Sequence, residues 1–143
     1  MRMPVRGWIS HLDLNVSDPV HSLPFYGLVL VYLGLRRTEV SADRAVWGQQ
    51  LAGGAWWGIE VRPPREPTTR PHHERYAPGI DHLAFHAESR ADVDGLYALL
   101  VEAGYEVADP PAEYDYTPGY YAVAFDDPDG MRLEVVHEPA TNL

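Results

Sequence analysis

The stretch FDDPDGMRLEVV, residues 125–136, places a turn between two short apolar segments. Its Pro-Asp-Gly sequence combines a proline that fixes one backbone dihedral with a glycine that tolerates left-handed geometry, which favours a tight turn. The flanking segments Tyr120–Phe125 and Met131–Val136 are therefore predicted to form a β-hairpin. In the second segment apolar residues flank Glu134, so its carboxylate is expected to point away from the packed side of the strand.

The first half of the chain repeats the main features of the second half. The tripeptide Ile59-Glu60-Val61 matches Leu133-Glu134-Val135, and Ser10-His11-Leu12 matches Asp81-His82-Leu83, at nearly constant spacing. A two-fold repeat of this kind indicates two copies of one supersecondary unit. We expect one domain over residues 1–143, with module one at about 7–62, a proline-rich linker at 63–79 and module two at 80–138.

Within module one, Trp8–Val16 alternates apolar and polar residues, which is typical of a half-buried strand. Asp18 followed by Pro19 predicts the start of a helix, which Gly34 is expected to end; Pro24 would delay that start or kink the first turn. Three short strands are then predicted near Leu35–Val40, Arg44–Gln49 and Ala55–Arg62.

Module two follows the same order of elements. Ile80–Ala87 alternates again, Ser89 is expected to cap a helix that ends near Gly104, and the hairpin follows. The prediction is an α+β fold of two βαβββ modules.

Composition limits the classes of function. The chain has 143 residues, a formal net charge of −10 and no cysteine, which excludes disulfides, thiolate metal sites and a cysteine nucleophile. The acidic balance argues against nucleic acid as a partner. No apolar run approaches the roughly 20 residues of a membrane span, and no signal-like segment precedes the first strand, so we expect a cytoplasmic protein.

Acidic residues are concentrated in the second half of the chain. Between Glu102 and Glu138 there are ten carboxylates and one arginine, Arg132. Such a surface attracts a cationic ligand, or it is simply a solvated face that keeps the protein soluble.

Four residues suggest a metal site: His11, Glu60, His82 and Glu134. Each is predicted to lie on the polar side of its strand, and the same two residue types occupy matching places in both modules. Imidazole and carboxylate ligands without thiolate suit one divalent ion such as nickel, zinc, iron, manganese or cobalt. If Glu60 is not a ligand, two histidines and one carboxylate remain, which is the arrangement of non-haem iron enzymes. Taken singly, each residue is also consistent with a solvent-facing group.

The chain resembles the vicinal oxygen chelate superfamily, which includes glyoxalase I, extradiol dioxygenases, fosfomycin-modifying thiol transferases and bleomycin-resistance proteins. The resemblance covers nearly the whole chain and is carried by HLDLNVSD at 11–18, FYG at 25–27, IEV at 59–61, GIDHLAF at 79–85 and FDDPDGMRLE at 125–134. It implies two βαβββ modules that form a cupped mixed sheet around a metal site, usually within a homodimer. Exposed apolar residues at Trp56-Trp57 and the long loop Pro63–Gly79 agree with a dimer.

The resemblance also implies roles for individual residues. Glyoxalase I-like members take metal ligands from the positions of His11, Glu60, His82 and Glu134, and three-ligand members omit the position of Glu60. In the lyase reaction a carboxylate beside the ion moves a proton between adjacent carbons of a substrate with neighbouring oxygens. Glu134 is the predicted base, and Glu60 is a ligand or a second proton shuttle.

Three further side chains are predicted to line the substrate pocket: Asp13, His86 and Tyr121. Asp13 shares a strand face with His11, and His86 shares one with His82, although a position on the rim would suit His86 equally well. The overall prediction is a metal-dependent, glyoxalase I-like lyase or isomerase. The alternatives are a non-catalytic protein that sequesters a drug or metabolite, as bleomycin-resistance proteins do, and a His-His-Glu dioxygenase.

Overall fold

The computed structural model describes residues 7–66 and 72–139. Regular structure in these ranges consists of β1 (His11–Asn15), α1 (Pro19–Tyr32), β2 (Arg36–Val40), β3 (Ala45–Gln50), β4 (Trp56–Arg62), β5 (His82–His86), α2 (Arg90–Glu102), β6 (Val107–Glu113), β7 (Tyr121–Asp126) and β8 (Arg132–His137). The elements divide into two compact units, one made of described residues up to Glu66 and the other from His72 onward. Neither described helix is long and apolar enough to cross a membrane.

The first unit is a four-stranded mixed sheet with one helix. Its strand order is β1-β4-β3-β2, with β1 parallel to β4 and the other neighbours antiparallel. Helix α1 contacts β2, β3 and β4. The apolar side chains Phe25, Val29, Leu30, Ile59 and Val61 are completely buried and form part of the core of this unit.

Helix α1 begins where the sequence predicts. Asp18 Oδ1 accepts a hydrogen bond from Val20 N at 2.9 Å, and Pro19 occupies the first helical turn, where its missing N–H costs nothing. Pro24 lies inside the helix and does not delay its start, contrary to one of the two expectations for this residue. Gly34, with φ of +90°, follows the helix end.

The second unit repeats this plan with strand order β5-β8-β7-β6. Strand β5 runs parallel to β8, and the remaining pairs are antiparallel. Helix α2 begins with a capping box, in which Ser89 Oγ accepts from Asp92 N and the Asp92 carboxylate accepts from Ser89 N. Val93, Leu96 and Leu100 on this helix are completely buried.

Strand β6 is the element whose range the sequence did not predict. It contains Pro110 and Pro111, and its pairing with β7 shifts register twice between Val107 and Ala112. Proline cannot donate to a strand ladder, so it is tolerated here because β6 is an edge strand.

The predicted α+β class with two βαβββ modules is confirmed. The predicted linker has no helix or strand in residues 63–66 and 72–79, and its residues 67–71 lie outside the described part of the chain. Closure of both modules into one domain and one metal cup stays a prediction.

Candidate functional site

In the second unit, strand pairing places a histidine and a glutamate side by side. His82 lies on β5 and Glu134 on the adjacent strand β8, and both side chains are on the face opposite the completely buried Leu133 and Val135. His82 Nε2 and Glu134 Oε2 are 3.4 Å apart. The Glu134 side chain is only 15% exposed, so its carboxylate is largely shielded from bulk water.

A carboxylate holds the other side of the His82 ring. Asp81 Oδ1 accepts a hydrogen bond from His82 Nδ1 at 2.7 Å and another from Arg75 Nε at 2.9 Å. The hydrogen bond from His82, supported by the Arg75 guanidinium, lowers the pKa of Asp81. A hydrogen-bonded Nδ1 leaves Nε2 as the nitrogen that can bind a metal or a ligand.

Tyr120 fixes the orientation of the Glu134 carboxylate. Its hydroxyl donates a hydrogen bond to Glu134 Oε1, while Oε2 faces His82. Burial, together with this hydrogen bond, raises the pKa of Tyr120, because the phenolate would be poorly solvated beside a carboxylate. The phenol therefore keeps its proton at neutral pH and acts as a donor.

The pair lies at a cavity of about 200 Å³ within the second unit. One wall consists of three tyrosine rings, Tyr114, Tyr116 and Tyr120, whose ring centroids are 5.1 to 6.2 Å apart. Ala122 and Ala124 also line the cavity and keep it open because their side chains are short. The cavity lining thus combines aromatic rings with an imidazole and a carboxylate.

Both arginines that line the cavity are already paired with carboxylates. Arg75 contacts Asp81, and Arg132 contacts Asp126 at 2.5 Å and Asp109 at 3.3 Å. Their positive charges are therefore largely neutralised and are poorly suited to bind an anionic ligand.

The corresponding glutamate of the first unit has different partners. Glu60 Oε1 accepts a hydrogen bond from Arg44 Nε at 2.6 Å, Oε2 accepts from Arg44 Nη2 at 3.2 Å, and Oε1 also accepts from Arg62 Nη1 at 3.2 Å. These guanidinium groups, chiefly Arg44 through its hydrogen bonds, hold the pKa of Glu60 below its usual value. Asp13 joins the same group through a 3.4 Å contact with Arg62 Nη2.

Arg44 and Tyr120 occupy equivalent positions in the two modules. Arg44 directly precedes β3 and donates to Glu60 on the adjacent strand β4. Tyr120 directly precedes β7 and donates to Glu134 on the adjacent strand β8. The donor is a permanently charged guanidinium in the first module and a neutral phenol in the second. Glu60 is neutralised within the protein, whereas Glu134 keeps a carboxylate oxygen beside an imidazole.

These donors can be compared with the needs of a divalent ion. Nε2 and Oε2 that are 3.4 Å apart would subtend about 110° at an ion bound to both at about 2.1 Å, a normal ligand angle. His82 and Glu134 therefore suit two ligand positions. Within either unit, the described residues contain no group of three or more His, Asp or Glu side chains that could enclose a metal. The four predicted ligands comprise His11 and Glu60 in the first unit and His82 and Glu134 in the second. That all four side chains bind one metal ion stays a prediction.

The other predicted site residues are placed as follows. His11 is exposed, and its Nδ1 lies 3.2 Å from Ser10 Oγ. His86 is on the same sheet face as His82 but does not line the cavity. Tyr121 does not line this cavity either, because its side chain lies on the opposite face of β7 and its hydroxyl donates to Asp94 of α2 at 2.6 Å.

The sequence analysis missed the tyrosine wall. Residues 114–121 contain four tyrosines, and three of them, Tyr114, Tyr116 and Tyr120, face the cavity. The available signal was the concentration of four tyrosines in eight residues; Tyr116 lies in the turn between β6 and β7, so strand alternation does not group the three rings. Tyr120, the residue before Tyr121, lines the cavity, whereas the sequence analysis had named Tyr121 as the pocket residue.

Comparison with known proteins agrees with this architecture. A sequence model described as the Glyoxalase/Bleomycin resistance protein/Dioxygenase superfamily matches residues 8–135. The uncharacterized protein YqjT of Bacillus subtilis (strain 168) is 33% identical over 130 residues, which cover 88% of this chain and 95% of YqjT.

Solved structures give the same result. A Bacillus halodurans chain, provisionally named a glyoxalase, aligns with a TM-score of 0.75 and 26% identity over 93% of this chain and 97% of that one. A glyoxalase/dioxygenase from Nostoc punctiforme aligns with a TM-score of 0.67 and 24% identity over 98% and 100%. The chain therefore belongs to the glyoxalase/bleomycin resistance protein/dioxygenase superfamily, the vicinal oxygen chelate family that its sequence resembles.

Proposed function

We propose that this protein is a metal-dependent enzyme that acts on a small molecule with two neighbouring oxygen atoms. The observation that carries the proposal is the His82–Glu134 pair, in which Nε2 and Oε2 lie 3.4 Å apart with Asp81 behind the imidazole. Members of the superfamily typically bind a divalent metal. Nickel, zinc, iron, manganese and cobalt all accept this mixture of nitrogen and oxygen donors.

We further propose that His11 is the third protein ligand and that Glu60 stays outside the metal shell. Glu60 accepts three hydrogen bonds from Arg44 and Arg62, and a metal would have to displace these guanidinium groups. Neutral imidazole is a common metal ligand. Because His11 is exposed, binding of a metal to its ring does not require the displacement of guanidinium groups.

A bound divalent ion would supply Lewis acidity to an oxygen of the substrate. The residues of the chain would supply the proton transfer. Glu134, whose carboxylate contacts no guanidinium group among the residues that the structure describes, takes a proton from the carbon next to the substrate carbonyl and returns it to the adjacent carbon. Tyr120 holds one oxygen of this carboxylate in place, and Glu60 is a poor base because its pKa is lowered. This chemistry is that of a glyoxalase I-like lyase or isomerase.

A His-His-Glu dioxygenase is the second candidate function. The pairing of Glu60 with Arg44 favours it, because it leaves two histidines and one glutamate as ligands. A protein that sequesters its ligand without turnover would use the same tyrosine-lined cavity.

Proton NMR in heavy water separates these candidates. Protein loaded with each metal is incubated with α-hydroxycarbonyl compounds and thiohemiacetals, and oxygen consumption is measured in parallel with catechols. We expect exchange of the acidic C–H with deuterium that requires metal and is lost in Glu134→Gln, while Glu113→Gln on the exposed edge strand serves as the control. Oxygen uptake without exchange would identify the dioxygenase. Ligand binding with neither reaction would identify the sequestering protein.

We also propose that the protein is a homodimer. Trp8, Ile9 and Trp56 of the first unit are 69%, 56% and 45% exposed, an apolar surface that a partner subunit would cover. Light scattering at micromolar concentration should give twice the mass of the 16.1 kDa chain, and a monomer would contradict the proposal.

A further inference from the structure

The two units place their histidine and glutamate in the same strand register. His11 on β1 pairs with Gly58 on β4, and His82 on β5 pairs with Arg132 on β8. In each unit the glutamate lies two residues beyond that partner, on the same face of the sheet as the histidine. In the second unit this register brings the imidazole and the carboxylate to 3.4 Å from each other. The backbone of the first unit would allow the same approach.

Side-chain donors direct the carboxylate of Glu60 to other partners. Arg44 Nε donates to Glu60 Oε1 at 2.6 Å and Arg44 Nη2 donates to Oε2 at 3.2 Å, a two-point contact that fits the shape of a carboxylate. Arg44 Nη1 also contacts Glu39 Oε1 at 2.5 Å, which restricts rotation of the guanidinium. Arg62 Nη1 adds a third hydrogen bond to Glu60 at 3.2 Å. Because the Glu60 side chain is only 14% exposed, water competes weakly for these contacts.

The carboxylate of Glu134 has a neutral donor instead. The Tyr120 hydroxyl donates to it, and no guanidinium group of the described residues contacts it. The residue two positions after the glutamate is Arg62 in the first unit and Val136 in the second. Each of these pairs with the last residue of the first strand of its unit, so their positions are equivalent. The units therefore differ in the charge around the glutamate and not in the register that places it.

We propose that Arg44, assisted by Arg62, sets the composition of the metal shell by keeping Glu60 out of it. That an ion binds at the other predicted ligands rests on the proposed function. A shell with one carboxylate carries less negative charge than a shell with two, so the ion keeps more of its Lewis acidity for a substrate oxygen. It also leaves one more position open for water or substrate. Arg44 acts through Glu60 and is a positioning residue.

Two variants release the carboxylate of Glu60. Arg44→Gln removes the charge and keeps a neutral N–H donor, which is the kind of donor that Glu134 has. Arg44→Gln with Arg62→Val also introduces the residue found at the equivalent position of the second unit. Arg44→Lys keeps the positive charge and is the matched control. Glu60→Gln, alone and combined with Arg44→Gln, shows whether an effect depends on this carboxylate.

Each metal-free protein is titrated with cobalt(II), with calorimetry for the affinity and visible absorption for the ligand set. The absorption of bound cobalt changes when a carboxylate joins the shell, because it depends on the number and type of ligands. A general effect of Arg44 on the stability of the fold would not produce this change. Circular dichroism of each variant verifies that it is folded.

We expect Arg44→Gln to tighten cobalt binding about tenfold, an effect of the size that groups around metal ligands usually have. The double variant should bind more tightly still. Both should show a changed cobalt spectrum, and Glu60→Gln should cancel the gain and the spectral change in the Arg44→Gln background. Arg44→Lys should resemble the wild type.

Three results would overturn the inference while cobalt uptake by the wild type still supports the proposed function. They are unchanged affinity and spectrum in both release variants, a gain that persists without Glu60, and a wild type that already loses affinity with Glu60→Gln. A wild type that takes up no cobalt, beside an Arg44→Gln variant that binds it through Glu60, would do the reverse. Absence of cobalt binding in every variant would overturn both.

Discussion

Replacing the two equivalent glutamates by glutamine should separate a structural carboxylate from a functional one. Glu60→Gln keeps the side-chain shape and removes the charge that Arg44 and Arg62 contact. Glu134→Gln does the same beside His82. We expect the first change to lower stability with little effect on metal binding, and the second to weaken metal binding strongly with little effect on stability.

The size of the first effect follows from the contacts of Glu60. Its side chain is 14% exposed and accepts three hydrogen bonds from guanidinium groups. A hydrogen bond to a charged group contributes about 1.5–3 kcal/mol when shielded from water. Arg44 and Arg62 are 37% and 22% exposed, so solvent screens part of this interaction and glutamine recovers another part. The expected loss is about 1–2 kcal/mol, or about 3–6 °C in Tm.

The same contacts predict a pH dependence with a definite sign. The folded pKa of Glu60 is lowered, chiefly by the hydrogen bonds from Arg44. Its contribution to stability is therefore fully present above the unfolded pKa, near 4.5, and is lost as pH falls through the lower folded pKa. The stability difference between wild type and Glu60→Gln should be constant above about pH 5 and should shrink in more acidic solution.

The stability difference between wild type and Glu60→Gln is measured by urea unfolding at pH 3 to 7, with circular dichroism as the signal. The affinity of each variant for each metal is measured by calorimetric titration. Glu60→Gln should leave the metal dissociation constant within about threefold, whereas Glu134→Gln should raise it roughly 100-fold or more, beyond the usual effect of an outer-shell change. Equal losses of metal affinity in both variants would refute the reasoning and make Glu60 a ligand.

Four further substitutions test other contacts. Asp81→Asn removes the charge that orients the neighbouring imidazole and should weaken metal binding about 10- to 100-fold by calorimetry; unchanged affinity would contradict that role. Tyr120→Phe removes a hydrogen bond to the strand carboxylate and should slow deuterium exchange by roughly tenfold while the far-UV spectrum stays unchanged. Gly58→Ala places a Cβ 2.2 Å from a ring carbon of Trp56 and should destabilise the protein by about 1–3 kcal/mol. Gly27→Ala in helix α1 places a Cβ at an ordinary 3.7 Å from the Trp47 ring and should stabilise it by about 0.5–1 kcal/mol. Equal effects of the two substitutions in urea unfolding would count against the packing described.

Local sequence signals predicted the elements because their physical causes are local. Asp18 with Pro19 and Ser89 with Asp92 satisfy the first backbone donors of each helix from two or three residues away. Strand alternation likewise placed Glu134 on the polar face of its sheet. Strand β6 escaped prediction because an edge strand tolerates prolines that would interrupt a central one.

Contacts between strands set the parts of the site that the sequence did not predict. Arg44 and Glu60 are 16 residues apart, and the sequence alone does not say which of many carboxylates a given arginine meets. The exchange of Tyr121 for Tyr120 has a similar cause. Adjacent residues of a strand face opposite sides of the sheet, and the sequence alone does not say which of two neighbouring tyrosines faces the cavity.

Trp56 packs over Gly48 and Gly58 in the first module. The tryptophans and tyrosines of the chain are unevenly distributed between the two modules, so their spectroscopic signals report on different modules. All four tryptophans of the chain precede residue 60, and seven of its nine tyrosines follow residue 70. Indole emission excited at the red edge of absorption therefore reports only the first module, and phenol signals in the near-ultraviolet are weighted toward the second. Coincident loss of both signals on denaturation would mark a single cooperative domain, and separate losses would show two modules that melt independently.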